Sequence, residues 1–501
     1  MMTTLTQPSD TVARVDHPLR TVIVGAGEAG RALARDLRRV DAFGLEPIGF
    51  LDDDVTKKRV RHLPVLGRLE DLLAVITAEH IDAVVIAIPG LPWETSRRLA
   101  ATANRVGVKV RFLPSFIALL HRDVVGTDMR DLQTGALIGR PELHLVSAAT
   151  ADMIRDRRVL VTGAGGSIGS ELCRQLRGFG PAQLLMVDHD ESNLLRLQLE
   201  LNGSSFDGGA DVVVGDIRDA GRMEQIMWDH RPHLVFHAAA LKHLPMLEGH
   251  PCEGVKSNVM GTHNVVQAAI DHGVERFVLI STDKAADPTS VLGATKQLAE
   301  LITKAAAGSA TVVSAVRFGN VLGSRGSLLT VLSQQMRSGC PVTITHPEVS
   351  RYFMTIEEAV GLVLEAAHMA VGGETFVLDM GSPVRIVDLV ENYARHLNID
   401  TTELDIRFTG LQKGEKLHEV LFSDQEVQRP TTHPRIFGAL PPTVPPQFRA
   451  VVHRLYNAAQ DNRSHEVTSY LSELVPTYAP PQDGECSGTN GHRAAPYPDD
   501  Y

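Results

Sequence analysis

Three side chains that can exchange protons follow one another at Thr282, Asp283 and Lys284, directly after the apolar run RFVLIS. A hydroxyl, a carboxyl and an amine are the group types used in general acid–base chemistry. The apolar run reads as a buried strand, and doubly wound parallel sheets bind ligands at the carboxyl ends of their strands. Lys296 follows on the next predicted helix. These four residues form the predicted catalytic group.

A glycine-rich turn, GAGGSIG, begins at Gly163 between the apolar run RVLVT and a helix-like segment. Such turns bind the pyrophosphate of a dinucleotide at the helix N-terminus, because glycine lets the backbone approach it closely. Asp188 ends the next predicted strand, where a carboxylate accepts hydrogen bonds from ribose hydroxyls and repels a 2′-phosphate. The pattern therefore favours NAD as the cofactor, with NADP as a possible substitute.

The predicted cofactor-binding residues are Gly163, Gly166, Ser167, Ile168, Gly169, Asp188, Asp216, Ile217, Ala238, Ala239 and Lys296. Alternatives remain for several of them. The turn can be purely structural, Asp188 can be a solvated loop acid, and Asp216 can cap a helix instead of meeting the adenine.

An earlier turn, GAGEAG, contains Gly25, Gly27 and Gly30, and Asp52 follows the second predicted strand after it. The same reasoning makes these residues a possible second nucleotide site. No group with catalytic chemistry accompanies this turn, so a structural or regulatory role is the alternative.

Apolar runs alternate with helix-period segments through both halves of the chain, which predicts an α/β fold with two Rossmann-like, doubly wound parallel sheets. The less regular text after Leu322 predicts a smaller C-terminal substrate lobe on the second sheet. The predicted divisions are 1–19 as a disordered N-terminus, 20–114 as a nucleotide-binding domain, 115–157 as a connector, 158–440 as the catalytic domain with its substrate lobe, 441–479 as a helical extension, and 480–501 as a disordered tail.

Composition excludes several function classes. The formal net charge of −11 over 501 residues gives no basic field for nucleic acid. The four cysteines, Cys173, Cys252, Cys340 and Cys486, lack the spacing of metal ligands, so neither zinc nor a disulfide is expected. No apolar stretch is long enough for a signal core or a membrane span. A soluble, cytoplasmic protein without membrane insertion is expected.

Six segments together carry a specific resemblance: TGAGGSIGSEL, HAAALKHLPMLE, STDKAADPTSVLGATK, RFGNVLGSRGS, SRYFMTIEEAV and GLQKGEKLHEVL. From about Ile154 to Phe422 the chain resembles the polysaccharide-biosynthesis nucleotide-sugar 4,6-dehydratases, which are extended short-chain dehydrogenases/reductases. The segments GFLDDD and LGRLEDL resemble the domain that precedes the dehydratase in the long members of that family. Those members usually begin with membrane helices, which this sequence lacks.

The resemblance implies a reaction with transient oxidation. Thr282 would assist removal of the 4-hydroxyl proton as hydride passes to the nicotinamide, while Lys296 holds the nicotinamide ribose. Leu292 stands where ordinary short-chain dehydrogenases have a tyrosine and this family usually has a methionine, so another hydroxyl must serve. Lys284, if burial depresses its pKa, would take the carbon 5 proton, and Asp283, if protonated, would protonate the leaving 6-hydroxyl. Hydride then returns to carbon 6.

The resemblance also suggests UDP-N-acetylglucosamine as substrate, a 4-keto-6-deoxy product with retained configuration at carbon 5, and a homo-oligomer. A diphosphate calls for cationic groups and backbone amides. The predicted substrate-binding residues are Lys242, His243, Arg317, Asn320, Arg351, Lys413, Glu415 and Lys416. Asn258 is expected to support the strand ends of the active site.

Two other functions are consistent with the same sequence. An epimerase would use the same transient oxidation without losing water, although the intact Thr282-Asp283-Lys284 set favours elimination. A catalytically impaired sensor of NAD or nucleotide sugars is the alternative from another class, suggested by Leu292 and by the extra N-terminal fold.

Overall fold

The computed structural model describes residues 18–39, 45–54, 56–88, 91, 93–112, 130–131, 146–202, 211–324, 328–338, 340–396, 399, 401–440 and 447–478. Within them the chain forms two large, mostly parallel sheets with helices on both faces. The predicted α/β fold class with two Rossmann-like sheets is confirmed. The tail predicted for 480–501, and nearly all of the N-terminus predicted for 1–19, lie outside the described residues.

The first sheet has seven strands in the order β3-β4-β2-β1-β5-β6-β7. Its strands are β1 (Leu19–Val24), β2 (Leu45–Leu51), β3 (Arg59–Val60), β4 (Leu63–Gly67), β5 (Ala83–Ile86), β6 (Lys109–Phe112) and β7 (Arg130–Asp131). Its helices are α1 (Glu28–Arg39), α2 (Leu72–Ala78) and α3 (Trp93–Asn104), with a 3₁₀ turn at Leu69–Asp71. The short strands β3 and β7 are antiparallel to their neighbours, and β7 falls inside the predicted connector.

The second sheet has nine strands in the order β10-β9-β8-β11-β12-β13-β18-β22-β21. Strand β22 is antiparallel to both of its neighbours, β18 and β21. Its strands, and those of the lobe beside it, are β8 (Arg158–Thr162), β9 (Gln183–Asp188), β10 (Val212–Val214), β11 (Leu234–His237), β12 (Arg276–Ile280), β13 (Val312–Arg317), β14 (Asn320–Leu322), β15 (Val342–Ile344), β16 (Ser350–Arg351), β17 (Phe353–Thr355), β18 (Glu374–Leu378), β19 (Val384–Arg385), β20 (Ile406–Phe408), β21 (Val427–Pro430) and β22 (Ile436–Leu440).

The helices of this half are α4 (Ala148–Ile154), α5 (Ser167–Gly178), α6 (Glu191–Asn202), α7 (Ala220–His230), α8 (Leu244–Gly249), α9 (Pro251–Gly254), α10 (Gly261–Asp271), α11 (Val291–Ala305), α12 (Leu328–Arg337), α13 (Ile356–Met369), α14 (Ile386–His396), α15 (Phe448–Gln460) and α16 (Ser464–Leu474). A π-helical turn at Val255–Met260 joins α9 to α10, and 3₁₀ turns occur at Asp283–Ala285 and Thr401–Glu403.

The central strands of the second sheet are mostly apolar because helices cover both faces. Along β8, Leu160 packs into one core while Val159 and Val161 pack into the other, as the two-residue period of a strand requires. The first core contains α10, α11, α15 and α16, and the second contains α5 and α13. Helices therefore cover both faces of the sheet, and a ligand can bind at the carboxyl ends of its parallel strands.

A smaller lobe is built from three two-stranded pairings, β14 with β17, β15 with β20, and β16 with β19. Its own apolar core includes Leu332, Leu389 and Val390. These pairings fall between residues 320 and 408, and β18 and α13 of the same range belong to the second sheet and its core. Helices α15 and α16 fall in the segment predicted as a helical extension, and their apolar residues complete the core around α11.

Candidate active site

The glycine turn lies where the strand order of the second sheet reverses. Strands β9 and β11 flank β8 on its two sides. The chain passes from β8 to β9 and β10 on one side and then crosses to β11 on the other. Gly163 has a φ of +65°, and a Cβ there would lie 2.6 Å from the backbone nitrogen of Ala239. A Cβ on Gly169 would lie 2.0 Å from the carbonyl oxygen of Gly163. Glycine is therefore required at both positions, and the turn stays close to the end of β11.

A cavity of about 390 Å³ opens over this turn. Gly163, Gly166, Asp188, Asp216 and Ile217 are among the residues that line it. The Asp188 carboxylate, which is 8% exposed, accepts the Gly165 amide at 2.9 Å and the Asp190 amide at 3.0 Å. Asp188 thus fixes the turn as well as facing the cavity, so it is not a solvated loop acid.

Asp216 is engaged by Arg218, whose guanidinium donates to both of its carboxylate oxygens at 2.7 to 3.1 Å. Burial raises the pKa of Asp216, but the hydrogen bonds and charge of Arg218 outweigh it and the pKa is lowered. Arg218 also contacts Glu253 at 3.2 Å. A helix-capping role is taken by Asp219, which accepts the Arg222 amide, and not by Asp216. Asp216 therefore remains a cavity residue.

A second cavity of about 680 Å³ adjoins the first and shares Gly166, Ala238 and Leu241 with it. The predicted catalytic residues Thr282, Lys284 and Lys296 line this cavity together with Leu292. Predicted substrate residues that line it are Lys242, His243 and Asn320, and the predicted cofactor residues Ser167, Ile168 and Gly169 form its wall toward the turn. The structure thus brings the glycine turn and the proton-transfer groups into one continuous crevice.

The Thr282–Lys284 segment forms a buried hydrogen-bonded group at the end of β12. The Thr282 hydroxyl donates to Asp283 Oδ1 at 2.9 Å, and Lys284 Nζ donates to the same oxygen at 3.1 Å. Lys284 Nζ also donates to Asn320 Oδ1 at 3.2 Å. The Asp283 side chain is fully buried, and its Oδ2 has no hydrogen-bond partner among the described residues.

The sequence analysis made the role of Lys284 as a base conditional on a pKa lowered by burial. Burial lowers the pKa of Lys284, but the Asp283 and Glu419 carboxylates outweigh it, so the pKa is raised. Glu419 Oε1 lies 3.6 Å from Lys284 Nζ. The condition of a pKa depressed by burial is therefore not met. A raised pKa favours the ammonium form, whose proton must move before Lys284 can act as a base.

Lys296 is 6% exposed on α11, and its Nζ donates to the Ile280 carbonyl at 2.6 Å. Burial lowers the pKa of Lys296 to about 8, and the charge of Glu300 opposes this only in part. Leu292, one helical turn earlier, is 5% exposed and supplies an apolar wall. Thr282 and Lys296 thus line the same cavity, in which Leu292 offers no hydroxyl.

The structure corrects the prediction for Arg317. Its guanidinium is 1% exposed and is held by Glu300 at 2.6 and 2.8 Å and by Glu426 at 2.7 Å. Glu300 also accepts the Ser281 hydroxyl at 2.5 Å. Arg317 is thus a buried link between β13, α11 and the segment after α14, and it has no surface to offer a diphosphate.

Of the remaining predicted substrate residues, Arg351 lies in β16, and Lys413, Glu415 and Lys416 lie in the segment 410–426, which contacts the chain that follows the catalytic turn. Arg351 donates to Glu415 at 2.5 Å and Lys416 donates to the Ala286 carbonyl at 2.8 Å. Among described residues, neither of the two cavities is lined by Arg351, Lys413, Glu415 or Lys416. The structure places them behind the catalytic turn, so direct substrate contact by these four is not supported.

Sequence reasoning missed Glu419, although it lies in the GLQKGEKLHEVL motif. It also missed His237, a fully buried imidazole between the Thr162 and Thr262 hydroxyls at 2.7 and 3.0 Å, whose pKa burial lowers to about 3. Asn258 was expected to support the strand ends. It exchanges hydrogen bonds with the Leu241 backbone at 2.8 and 3.1 Å.

The crevice fits a dinucleotide. The first amides of a helix have no intrahelical partner and favour anions. Gly166, which lines both cavities, and Ser167 and Ile168, which line the larger one, place the start of α5 at the crevice. The Asp188 carboxylate, in the smaller cavity, can accept hydrogen bonds from a ribose, and the Lys296 ammonium, in the larger cavity, can donate them. Among the described residues no cluster of His, Cys, Asp or Glu is suited to a metal ion.

The first sheet repeats part of this arrangement. Asp52 accepts the Ala26 amide at 2.7 Å and the Asp54 amide at 2.9 Å. Lys57 pairs with Asp52 at 3.1 Å. The turn of Gly25, Gly27 and Gly30 is thus tied to the end of β2, but a ligand for it stays a prediction.

The fold and the site define a nucleotide-sugar enzyme of the short-chain dehydrogenase/reductase type, similar to both dehydratases and epimerases. Residues 159–441 match the family described as polysaccharide biosynthesis protein, and residues 11–114 match a family described as CoA-binding domain. The chain belongs to the polysaccharide biosynthesis protein family. Among the described residues, no helix combines the length and apolar character needed to cross a bilayer.

Named relatives support this placement. The probable polysaccharide biosynthesis protein EpsC of Bacillus subtilis is 41% identical over 424 residues, which cover 83% of this chain and 70% of EpsC. The UDP-glucose 4-epimerase of Rickettsia rickettsii is 32% identical over 285 residues, covering 55% of this chain and 81% of that protein. The inverting UDP-N-acetylglucosamine 4,6-dehydratase of Campylobacter jejuni is 31% identical over 280 residues, covering 55% and 80%.

Among solved structures, Pen from Bacillus thuringiensis matches with a TM-score of 0.52 and 32% identity, covering 58% of this chain and 89% of that chain. Because the epimerase and the dehydratase are equally similar, identity alone does not choose between the two reactions.

The Arg317→Met substitution should lower the free energy of unfolding by about 3–5 kcal/mol, because Glu300 and Glu426 would remain buried without their cation. Denaturant unfolding of the full chain measures this loss. The exposed Arg429 provides a matched control, and Arg429→Met should leave stability almost unchanged. Normal stability of Arg317→Met together with a raised KM for substrate would restore the substrate-binding role.

Proposed function

We propose that this protein is a nucleotide-sugar 4,6-dehydratase that converts UDP-N-acetylglucosamine to a UDP-linked 4-keto-6-deoxy sugar. The observation that carries the proposal is the buried Asp283–Lys284 pair beside the Thr282 hydroxyl, at the end of the crevice that begins at the glycine turn. Retained configuration at carbon 5 and a homo-oligomer stay predictions of the resemblance, and a cytoplasmic location stays a prediction from the composition of the sequence.

The number of proton-transfer groups favours elimination over epimerisation. Inverting carbon 4 through a transient ketone requires one group that removes and returns the hydroxyl proton. Thr282 alone, beside Lys296, meets that need. Elimination requires in addition a base for carbon 5 and an acid for the leaving hydroxyl, and Lys284 and Asp283 are groups of those two types in direct contact.

NAD is the proposed cofactor. The turn at Gly163–Gly169 would hold its pyrophosphate, Asp188 its adenosine ribose, and Lys296 its nicotinamide ribose. Bound there, it would supply reversible hydride transfer, taking hydride from carbon 4 and returning it to carbon 6. Because the Asp188 carboxylate already accepts two amides and faces the cavity, its charge would repel a 2′-phosphate.

Thr282 and Lys296 are assigned to the first proton. The Thr282 hydroxyl donates a hydrogen bond to Asp283 Oδ1, so its oxygen lone pairs can accept a hydrogen bond from the sugar 4-hydroxyl, whose proton passes to solvent during the oxidation. The Lys296 ammonium stabilises negative charge that develops on that oxygen, since a cation in a water-poor site lowers the pKa of a neighbouring hydroxyl. Leu292 keeps this side of the site apolar.

Asp283 and Lys284 together hold one proton that either residue can carry. With the proton on nitrogen the pair is carboxylate and ammonium, and with the proton on Oδ1 it is carboxylic acid and amine. Transfer over the 3.1 Å contact changes the first form into the second without changing the net charge of the buried pair. The second form contains the base for carbon 5 and a carboxylic acid. Because Asp283 is fully buried and lines neither cavity, its proton would reach the 6-hydroxyl through the Thr282 hydroxyl, which contacts Oδ1 and lines the larger cavity.

The proton count then closes. Solvent takes the 4-hydroxyl proton, and Lys284 takes the carbon 5 proton. Asp283 supplies the proton with which the 6-hydroxyl leaves as water, so the pair ends the elimination as ammonium and carboxylate. Lys284 then returns a proton to carbon 5, and solvent restores the single proton that the pair shares.

The residues of the site support a nucleotide-sugar substrate in general, and the choice of a particular sugar comes from a relative. Lys242, His243 and Asn320 line the larger cavity and can contact the sugar or its diphosphate. UDP-N-acetylglucosamine is chosen because the dehydratase relative from Campylobacter jejuni carries that substrate in its name. A UDP-glucose epimerase is the second candidate, because the Rickettsia rickettsii relative is equally similar.

Incubation with UDP-N-acetylglucosamine in heavy water should give a product that has lost one water and carries solvent deuterium at carbon 5, as shown by mass spectrometry and proton NMR. Lys284→Ala should abolish water loss because the carbon 5 base is gone. Lys304→Ala, on the far end of α11, serves as the control and should react normally. Unchanged mass with an inverted centre would show an epimerase, and cofactor binding without any turnover would favour the sensor.

Activity should fall as pH rises through about 8, because Lys296 then loses its proton and with it the charge that assists the 4-hydroxyl. The rate with saturating cofactor, measured from about pH 6 to about pH 10, tests this. Lys296→Arg keeps the charge over the whole range, so any activity that it retains should lack the falling limb. A flat profile for the unaltered protein across this range would contradict the role of Lys296.

A further inference from the structure

Glu419 is a buried carboxylate for which the proposed reaction has no step. It is 6% exposed and lies in the segment 410–426, which we call the strap because it crosses behind the catalytic turn. Thr289 donates to the Gly414 carbonyl at 3.0 Å, and Ser423 donates to Asp287 at 2.5 Å. The strap is thus tied to the chain on both sides of Glu419, which fixes the place of its carboxylate.

The Glu419 carboxylate lies between two cations. Its Oε1 is 3.6 Å from Lys284 Nζ and 3.9 Å from Arg351 Nε. Its Oε2 is buried and has no hydrogen-bond partner among the described residues. A buried carboxylate is strongly disfavoured unless cations compensate it, and Arg351 is already bonded to Glu415. Lys284 is therefore the nearer of its two compensating cations.

Every charged group that faces Lys284 can be named. Asp283 touches it at 3.1 Å and Glu419 lies at 3.6 Å, while Arg351 and Lys416 act as more distant positive charges. The neutral Asn320 amide oxygen accepts a third contact. With Asp283 as its only carboxylate neighbour, Lys284 could keep the shared proton or pass it to Asp283. The second carboxylate, Glu419, favours the form in which the proton stays on Lys284.

We propose that Glu419 is a positioning residue that keeps the proton on Lys284 while the site is empty and so determines when Lys284 becomes a base. It does not line either cavity and acts through Lys284. The meaning of this control for catalysis rests on the proposed function, but the charge pairing itself does not. Removing the negative charge of Glu419 should therefore lower the pKa of Lys284, because the ammonium loses one of its two carboxylate neighbours.

The charge on Lys284 can be measured without any turnover. Acetic anhydride acylates neutral amines only, and the Lys284 side chain is 18% exposed and lines the larger cavity. The acylation rate of Lys284 in the full-length protein, followed by peptide mass spectrometry over a pH series, reports its pKa. Lys304 in the same digests provides the internal reference.

In Glu419→Gln the acylation curve of Lys284 should move to lower pH, with a several-fold faster rate near neutral pH. Glu419→Asp keeps the charge but withdraws it by one methylene, so its curve should lie between those of Glu419→Gln and the unaltered protein. Asp424→Asn, which removes an exposed carboxylate from the same strap, should leave the curve in place.

An unchanged curve in Glu419→Gln, or one displaced to higher pH, would overturn the proposal. If Glu419→Gln does not fold, Glu419→Asp decides in the same way, since its curve must still lie below that of the unaltered protein. A displaced curve in a protein that removes water from no UDP-sugar would overturn the proposed dehydratase function and leave the role of Glu419 intact.

Discussion

The contact between Lys284 and Asp283 is the interaction on which the rest of the site depends. A fully buried carboxylate at the end of a strand is tolerated only when a cation meets it, and Lys284 meets it at 3.1 Å. Two glycines make the necessary space. A Cβ on Gly293 would lie 2.3 Å from the Lys284 carbonyl, and one on Gly319 would lie 2.9 Å from Asp283 Oδ2. Helix α11 and the turn after β13 therefore pack directly on the catalytic segment.

The same requirement for charge compensation explains the surrounding network. Glu300 and Glu426 enclose Arg317, and Glu415 and Glu419 flank Arg351, so each of these charges has an opposite charge as neighbour. These pairs join the strap to α11, β13 and β16. Such pairs contribute little net stability compared with apolar packing, but removing one partner is costly. The network thus favours a single arrangement of the catalytic groups.

The sequence was sufficient for the parts of the protein that follow local rules. Both glycine turns, the order of apolar strands and the catalytic segment could be read from periodicity and from the chemistry of neighbouring residues, and the structure places Thr282, Lys284 and Lys296 in one crevice with the second turn. Asp188 also faces its expected cavity.

What the sequence could not supply were contacts between residues far apart in the chain. Arg317 and Glu426 are 109 positions apart, so nothing in the text RFGN indicates that this arginine is enclosed and not free for a diphosphate. The charge of Lys284 likewise depends on Glu419, a residue of the strap. The sequence indicated burial but not the compensating Glu419 carboxylate, so it could state a depressed pKa of Lys284 only as a condition, which the structure does not meet.

The most direct test of the central claim is the half-reaction of Asp283→Asn, in which the acid for the 6-hydroxyl is replaced by an amide of the same shape. With NAD and UDP-N-acetylglucosamine, the account predicts that carbon 4 is still oxidised and that reduced cofactor accumulates, seen by its near-ultraviolet absorbance, while no water is lost. Normal water loss by Asp283→Asn would contradict the assignment of acid and base to this buried pair.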